Sequence, residues 1–378
     1  MSHFYNQFML RNDITFLNHG SFGASPKYVF DTYQLWQREL EAQPVAFMQR
    51  THDALLEQIR DTVGKYIHAN MEDLILVPNA TIGINMVAQG LHFDVNDEIL
   101  MSNQEYGAME IMWQRICEKT GAKVIQADIP LNTPSPEEWV QLFWQSVSPQ
   151  TKVIFLSHIS SPTALILPVE GICKKAREAG ILCIIDGAHV PGHLTLDIEK
   201  IGADAYIGNF HKWLCAPKGS AFVYVHPDMQ DLIHPLIYSW GDVEGASFNK
   251  RYQWIGTRDF SAILSVPAAI QYQNENDWAS VFKLCHDMAS EMNERICDMT
   301  GLAPLMHDDS WYGQMVSIPL PDCDAVAVQT QLIDQYHIEV PLITWNNQQL
   351  MRVSFQAYNH FSDLEQLSSA ISEIFKLN

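Results

Sequence analysis

The stretch from Ile181 to Trp213, ILCIIDGAHVPGHLTLDIEKIGADAYIGNFHKW, constrains the fold of this 378-residue chain more than any other. Its opening run, ILCII, is short and wholly apolar, the pattern of a strand buried on both faces of a parallel sheet. The run stops on Asp186, and Asp186-Gly187-Ala188-His189 reads as a turn. A second apolar run, AYIG, leads into Asn209-Phe210-His211-Lys212. Open α/β sheets bind their ligands outside the carboxyl ends of such strands. The pattern predicts a carboxylate at the end of one strand and a lysine at the end of the next.

Alone, an Asp closing a strand is often a helix cap, and a His-Lys pair a solvated loop. In this order they suit pyridoxal phosphate. A lysine amine, Lys212, forms the Schiff base. A carboxylate, Asp186, pairs with the pyridine nitrogen and keeps it protonated, so that the ring accepts electrons from a carbanion. A metal centre built from Asp186, His189, His193 and His211 is set aside. Pro191 and Gly192 break any helix that would put two of these histidines on one face.

Other strand ends supply further candidates. LILV precedes Asn79-Ala80-Thr81, which stands where the helical pattern TIGINMVAQGL begins. Backbone N–H groups and the positive end of the helix dipole make such a junction an anion site; a plain N-cap is the alternative. After EILM come Glu105-Tyr106-Gly107-Ala108, with Tyr106 placed to stack on a flat ring or simply to pack on the core. After TKVIFLS, the residues Ser157, His158, Ser160 and Thr163 can approach a ligand or make local backbone bonds. The Gly-rich entry FLNHGSFGASP offers Asn18 and His19 as substrate-side residues or as turn residues.

The formal net charge of −21 repels nucleic acid and anionic membranes, so neither is an expected partner. No apolar run is long enough to span a membrane, and MSHFYNQFMLRND lacks the basic-flanked apolar core of a secretory signal. The seven cysteines (117, 173, 183, 215, 285, 297 and 323) are scattered and include no C-x-x-C. They read as reduced thiols of a cytoplasmic protein.

These motifs together resemble the class V aminotransferases of fold type I, in the branch of isopenicillin N epimerase-like proteins, with the cysteine desulfurases as cousins. The resemblance implies an α/β fold: a large cofactor-binding domain with a mostly parallel central sheet, over 26–265, and a smaller α+β domain over 266–378. Residues 1–25 would fold back near the active site. It gives Asn79, Ala80, Thr81, Asn209 and His211 to the phosphate, and His189 to the ring oxygen. Gly256-Thr257 would reach across a homodimer interface to the neighbour's phosphate. Arg352, in Arg352-Val353-Ser354 followed by Tyr358-Asn359, would clamp the substrate carboxylate in two parallel hydrogen bonds.

The expected chemistry starts with removal of an α-proton by Lys212 from an amino acid or amino-acid-derived substrate. Reprotonation on the opposite face gives epimerisation, for which Tyr106 is the one candidate acid. Reprotonation on the cofactor gives transamination, and loss of a side-chain leaving group gives a C–S lyase. A non-catalytic cofactor- or amino-acid-binding protein is the reading from another class; retention of both Lys212 and Asp186 speaks against it. Desulfurases need a nucleophilic cysteine shortly before the carboxylate-binding arginine, and VPLITWNNQQL has none. The expectation is an epimerase-like enzyme, with lyase and aminotransferase as alternatives.

Overall fold

The computed structural model describes residues 4–377; the first three residues of the expected N-terminal segment lie outside that range. Among the described residues twelve strands occur in chain order: β1 (Thr15–Phe16), β2 (Leu74–Val77), β3 (Glu98–Ser102), β4 (Lys123–Ala127), β5 (Thr151–Ser157), β6 (Leu182–Asp186), β7 (Ala205–Asn209), β8 (Ala221–Val225), β9 (Met315–Leu320), β10 (Ile338–Glu339), β11 (Leu342–Trp345) and β12 (Gln348–Ser354). Seven form one sheet in the order β2-β8-β7-β6-β5-β3-β4. All neighbours in it are parallel except β8, which runs antiparallel to both β2 and β7. The mostly parallel central sheet expected from the apolar runs is therefore present.

Its strands are apolar on both faces because helices cover both. Leu74, Leu76, Ile154, Leu156, Cys183 and Ile185 point into one core, while Ile75, Val77, Val153, Phe155 and Ile184 point into the other. This is the period-2 alternation of a strand, made invisible in sequence by burial on each side. Helix Val169–Ala179 buries Val169, Ile172, Cys173 and Ala176, a helical stripe, in the first core. Helix Gly107–Thr120 buries Met109, Met112, Trp113 and Ile116 in the second.

The register brings the ends of the strands level. Ser157 of β5 pairs with Asp186 of β6, and Asp186 pairs with Ile207, two residues before Asn209. Three polar residues thus stand at neighbouring carboxyl ends.

The C-terminal part carries a three-stranded antiparallel sheet, β11-β12-β9. Helices Trp278–Thr300, Ala325–Tyr336 and Phe361–Phe375 share its core through Met288, Met292, Leu332, Leu364 and Leu367. Helix Val266–Glu275 starts at the expected domain boundary yet sends Val266 and Ala269 into the core of the large sheet. The N-terminal segment is stitched to the C-terminal part: β1 pairs with β10, and Ser354 N–H donates to Leu17 O at 2.9 Å. Among the described residues no helix is long and apolar enough to cross a membrane.

Candidate active site

Asp186 ends β6 in a buried position, and its Oδ1 accepts the Ala188 N–H at 2.9 Å. Burial raises its pKa, opposed by that hydrogen bond and by the charge of Lys212. Beside it lies a second buried carboxylate, Glu105. Glu105 accepts from Ser102 Oγ at 2.5 Å, Ser157 N–H at 2.8 Å and Ser157 Oγ at 2.6 Å. Burial pushes Glu105 up to about 7, with the Asp186 charge acting in the same direction against the three donors.

The turn after Asp186 is drawn against the Lys212 loop by Gly192, whose φ is 83°. A Cβ there would collide with the backbone of Trp213 and Leu214. That approach sets Lys212 Nζ 2.9 Å from His189 Nε2. Lys212 is lowered to about 7, first by burial and then by the Arg352 charge, while Asp186 acts the other way. His189 is driven well below its ordinary value by burial, with Lys212 and Arg352 adding to the effect. Near neutral pH the pair is a neutral imidazole facing an amine at the edge of deprotonation.

At the other end, helix Ala80–Gly90 starts from the cap Asn79, whose side chain accepts the Ile82 N–H at 2.9 Å. The Ala80 N–H donates to Asn209 Oδ1 at 2.8 Å, tying the helix start to the end of β7. His211 is buried with Nδ1 lacking any hydrogen-bond partner, and burial lowers it to about 4. Lys218 and Gly219 complete this wall.

Arg352, on β12, is buried and remains a cation even though burial lowers it to about 10. Its Nη1 donates to Ser161 O at 2.7 Å and to Ser161 Oγ at 3.1 Å, and its Nη2 donates to Ser21 Oγ at 3.1 Å. Its Nε has no partner. Ser21 reaches it because Gly23, with φ 69°, lays the N-terminal segment directly on the His211 carbonyl, where a side chain would collide.

These walls enclose a cavity of about 350 Å³. Asn79, Ala80, Thr81, Tyr106, Ser157, Asp186, His189, Asn209, His211 and Lys212 line it, so residues from position 79 to position 212 converge. Arg352 stands behind the lining residues Ser21 and Ser161. Tyr106, about half exposed at 47%, is the N-cap residue of helix Gly107–Thr120.

Other candidates lie elsewhere. Asn18 bonds Glu339 and Ser21, and fully buried His19 spans Tyr358 Oη and Lys212 O at 2.9 Å each; Ser21 and Phe22 reach the cavity in their place. His158 bonds Tyr206 Oη, while Ser160 and Thr163 both bond Gln104. Thr257 lines a separate cavity of about 750 Å³ with His52, Arg60, Lys250 and Trp254. No cysteine lines the first cavity; Cys215 is buried behind it, against His19 and Gln356. Ser21, Phe22, Ser161 and Lys218 carried no readable motif. Only the closeness of Lys218 to Lys212 in a short Pro-Lys-Gly turn signalled it.

Residues 21–367 match the family described as aminotransferase class-V. The chain is 32% identical to isopenicillin N epimerase of Amycolatopsis lactamdurans over 381 residues, covering 96% of each protein. It is 28% identical to putative L-cysteine desulfhydrase 1 of Oryza sativa subsp. japonica, over 95% of this chain and 82% of that one. Among solved structures it superposes, with a TM-score of 0.87 and 19% identity, on a C-DES mutant with glycine covalently linked to its pyridoxal phosphate, covering 97% of this chain and 98% of that one. At that identity the likeness speaks for the fold, which is fold type I.

Proposed function

The chain belongs to the class V aminotransferase family, whose cofactor is pyridoxal phosphate, and we propose that it labilises the α-proton of an amino acid or amino-acid-derived substrate with an epimerase-like outcome. The cofactor supplies an electron sink for the pair left when that proton departs. The residues present fit it. The orphaned, buried His211 Nδ1 and the first turn of helix Ala80–Gly90 suit a phosphate. Buried Asp186 suits a protonated ring nitrogen, Tyr106 a ring face, His189 a ring oxygen and Lys212 the carbonyl carbon.

Arg352 orients the substrate through its carboxylate, with the unpaired Nε–H as one of its donors. Lys212, released as a free amine, takes the α-proton. Tyr106 is the acid candidate for return of a proton from the other side. The observation that carries this reading is the Lys212 amine, lowered to about 7 and held 2.9 Å from His189. Proton NMR in deuterated water, with L- and D-amino acids, tests it. Loss of the α-proton signal with intact carbon skeleton and mixed chirality supports epimerisation; keto-acid products point instead to transamination.

A second reading, C–S lyase action on a cysteine-type amino acid, is favoured by the desulfhydrase relatives and by cavity size. About 350 Å³ has to take cofactor and substrate together, which suits a small amino acid. Sulfide release from L-cysteine or L-cystine, with loss of the α-proton, would decide for it. The persulfide route of the desulfurases is not part of either reading, for want of a cysteine on the cavity.

The active form we propose is a homodimer. Thr257 lies away from its own Lys212 cavity, in a cavity rimmed by exposed Val45 and Trp240, a surface suited to a second copy. Sedimentation of the wild type against Trp240→Glu tests this. The seven unpaired cysteines suit a reducing, cytoplasmic compartment.

A further inference from the structure

Trp213, the residue after the lysine, is wholly buried, and its indole N–H donates to His189 Nδ1 at 3.2 Å. The other ring nitrogen of the same histidine, Nε2, is the one 2.9 Å from Lys212 Nζ. An indole N–H donates and never accepts. Nδ1 must therefore present a lone pair, and the single proton of a neutral imidazole resides on Nε2. An Nε2–H aimed at Lys212 meets an acceptor only when Lys212 is a free amine; an ammonium has no lone pair to offer.

The indole is held in this position from several sides. Its ring lies 4.2 Å from the His193 ring and 5.1 Å from the His19 ring, between centroids. Its carbonyl accepts from Gln273 Nε2 at 2.9 Å. His193 is fixed in turn: Nε2 accepts the Gln314 N–H at 2.8 Å, and Nδ1 lies 3.2 Å from His189 O. Rotating the indole away from His189 would displace both histidines.

We infer that Trp213 is a positioning residue that holds His189 in the Nε2–H tautomer and thereby keeps Lys212 as a free amine. This deepens the reading of Lys212 given above and rests on it for the catalytic consequence, though not for the tautomer. Without the indole N–H, His189 is free to take its proton on Nδ1. Its Nε2 lone pair would then accept from the ammonium form of Lys212 and stabilise it. The charged and titratable groups around the pair are Asp186, Arg352, His193 and His211, with Glu105 behind Asp186. His193 and His211 are lowered to about 3 and about 4, so they stay neutral across the useful range. Glu105 titrates near Lys212, and a Glu105→Gln background removes it.

The test uses the full chain labelled with ¹⁵N-histidine, as the holoenzyme and again after removal of the cofactor, with the His189 signals assigned by their loss in His189→Gln. The wild type is expected to show a protonated Nε2 and a bare Nδ1. Trp213→Phe keeps an aromatic ring but removes the donor, and should shift His189 towards Nδ1–H. After removal of the cofactor, the pH midpoint for recapture of pyridoxal phosphate by Lys212 should rise by about one unit in Trp213→Phe, a tenfold change in free amine. In a His189→Gln background the same substitution should leave the midpoint where it was. A wild-type His189 protonated on Nδ1 overturns the inference, and needs no folded variant to do so. Unchanged tautomer and midpoint in a cooperatively melting Trp213→Phe also overturn it. A failure of the substrate proposal would leave the ¹⁵N result standing.

Discussion

Glu105 and Ser157 join the ends of β3 and β5: one carboxylate oxygen, Oε2, accepts both the backbone N–H and the hydroxyl of Ser157, at 2.8 and 2.6 Å. The carboxylate sits one strand away from Asp186, in a position where burial raises it from 4.5 to about 7. A group raised in the folded state contributes stability that is complete below its unfolded pKa and is lost as pH rises through the folded value. Stability of the wild type should therefore fall between about pH 5 and about pH 8 by roughly 3 kcal/mol relative to Glu105→Gln, whose amide does not titrate. Urea unfolding of both proteins across that range checks it; parallel pH profiles would remove Glu105 as the source.

Lys212 is depressed, so its free amine is present above about 7 and lost as pH falls through that value. The rate of α-proton exchange in deuterated water should rise with pH about that midpoint rather than near the ordinary 10.5. Lys212→Ala should slow exchange by about 10²-fold or more and abolish the covalent adduct that mass spectrometry detects after borohydride reduction.

Arg352 is held by Ser161 and Ser21, and its Nε–H is left unpaired. Arg352→Gln keeps a polar side chain but loses the charge-assisted pair with a carboxylate, worth about 2 to 3 kcal/mol. kcat/KM for the amino-acid substrate should drop roughly 30- to 150-fold, while the dissociation constant for pyridoxal phosphate changes little. A loss confined to cofactor affinity would count against the carboxylate role.

Gly192 combines a positive φ with contact against the Trp213–Leu214 backbone. Gly192→Ala should destabilise the protein by about 3 kcal/mol or more, since both strain and steric displacement apply. Because the turn carrying His189 would move, pyridoxal phosphate capture should weaken in the same variant. Thermal melts and a capture assay on Gly192→Ala measure the two effects separately.

The sequence by itself determined the parts governed by local rules. ILCII ending on Asp186, AYIG leading to Lys212, and Asn79 before a helical pattern each follow from burial periodicity and capping, which act over a few residues. These sufficed to place Asp186, Lys212 and the Asn79–Thr81 junction, and they all line one cavity. Arg352 was legible as a strand arginine in a patterned neighbourhood, but not the company it keeps. Ser161 and Ser21 lie 191 and 331 residues away along the chain and carry no signature of their own.

Only the tertiary structure decided which neighbours meet. The Asn-His pair at 18–19 and the Ser-Phe pair at 21–22 look equally suited to a substrate pocket in sequence. The left-handed Gly23 resting on the His211 carbonyl turns Ser21 and Phe22 to the cavity and leaves His19 buried between Tyr358 and Lys212. Likewise nothing in HKW announces that the indole meets His189, or that Glu105 bridges two strands. Such contacts depend on sheet order and register, which are set by the packing of two cores over the whole chain rather than by any stretch of it. The chemistry available to Lys212 depends on them too, because desolvation and fixed hydrogen-bond donors, not residue type, set its charge.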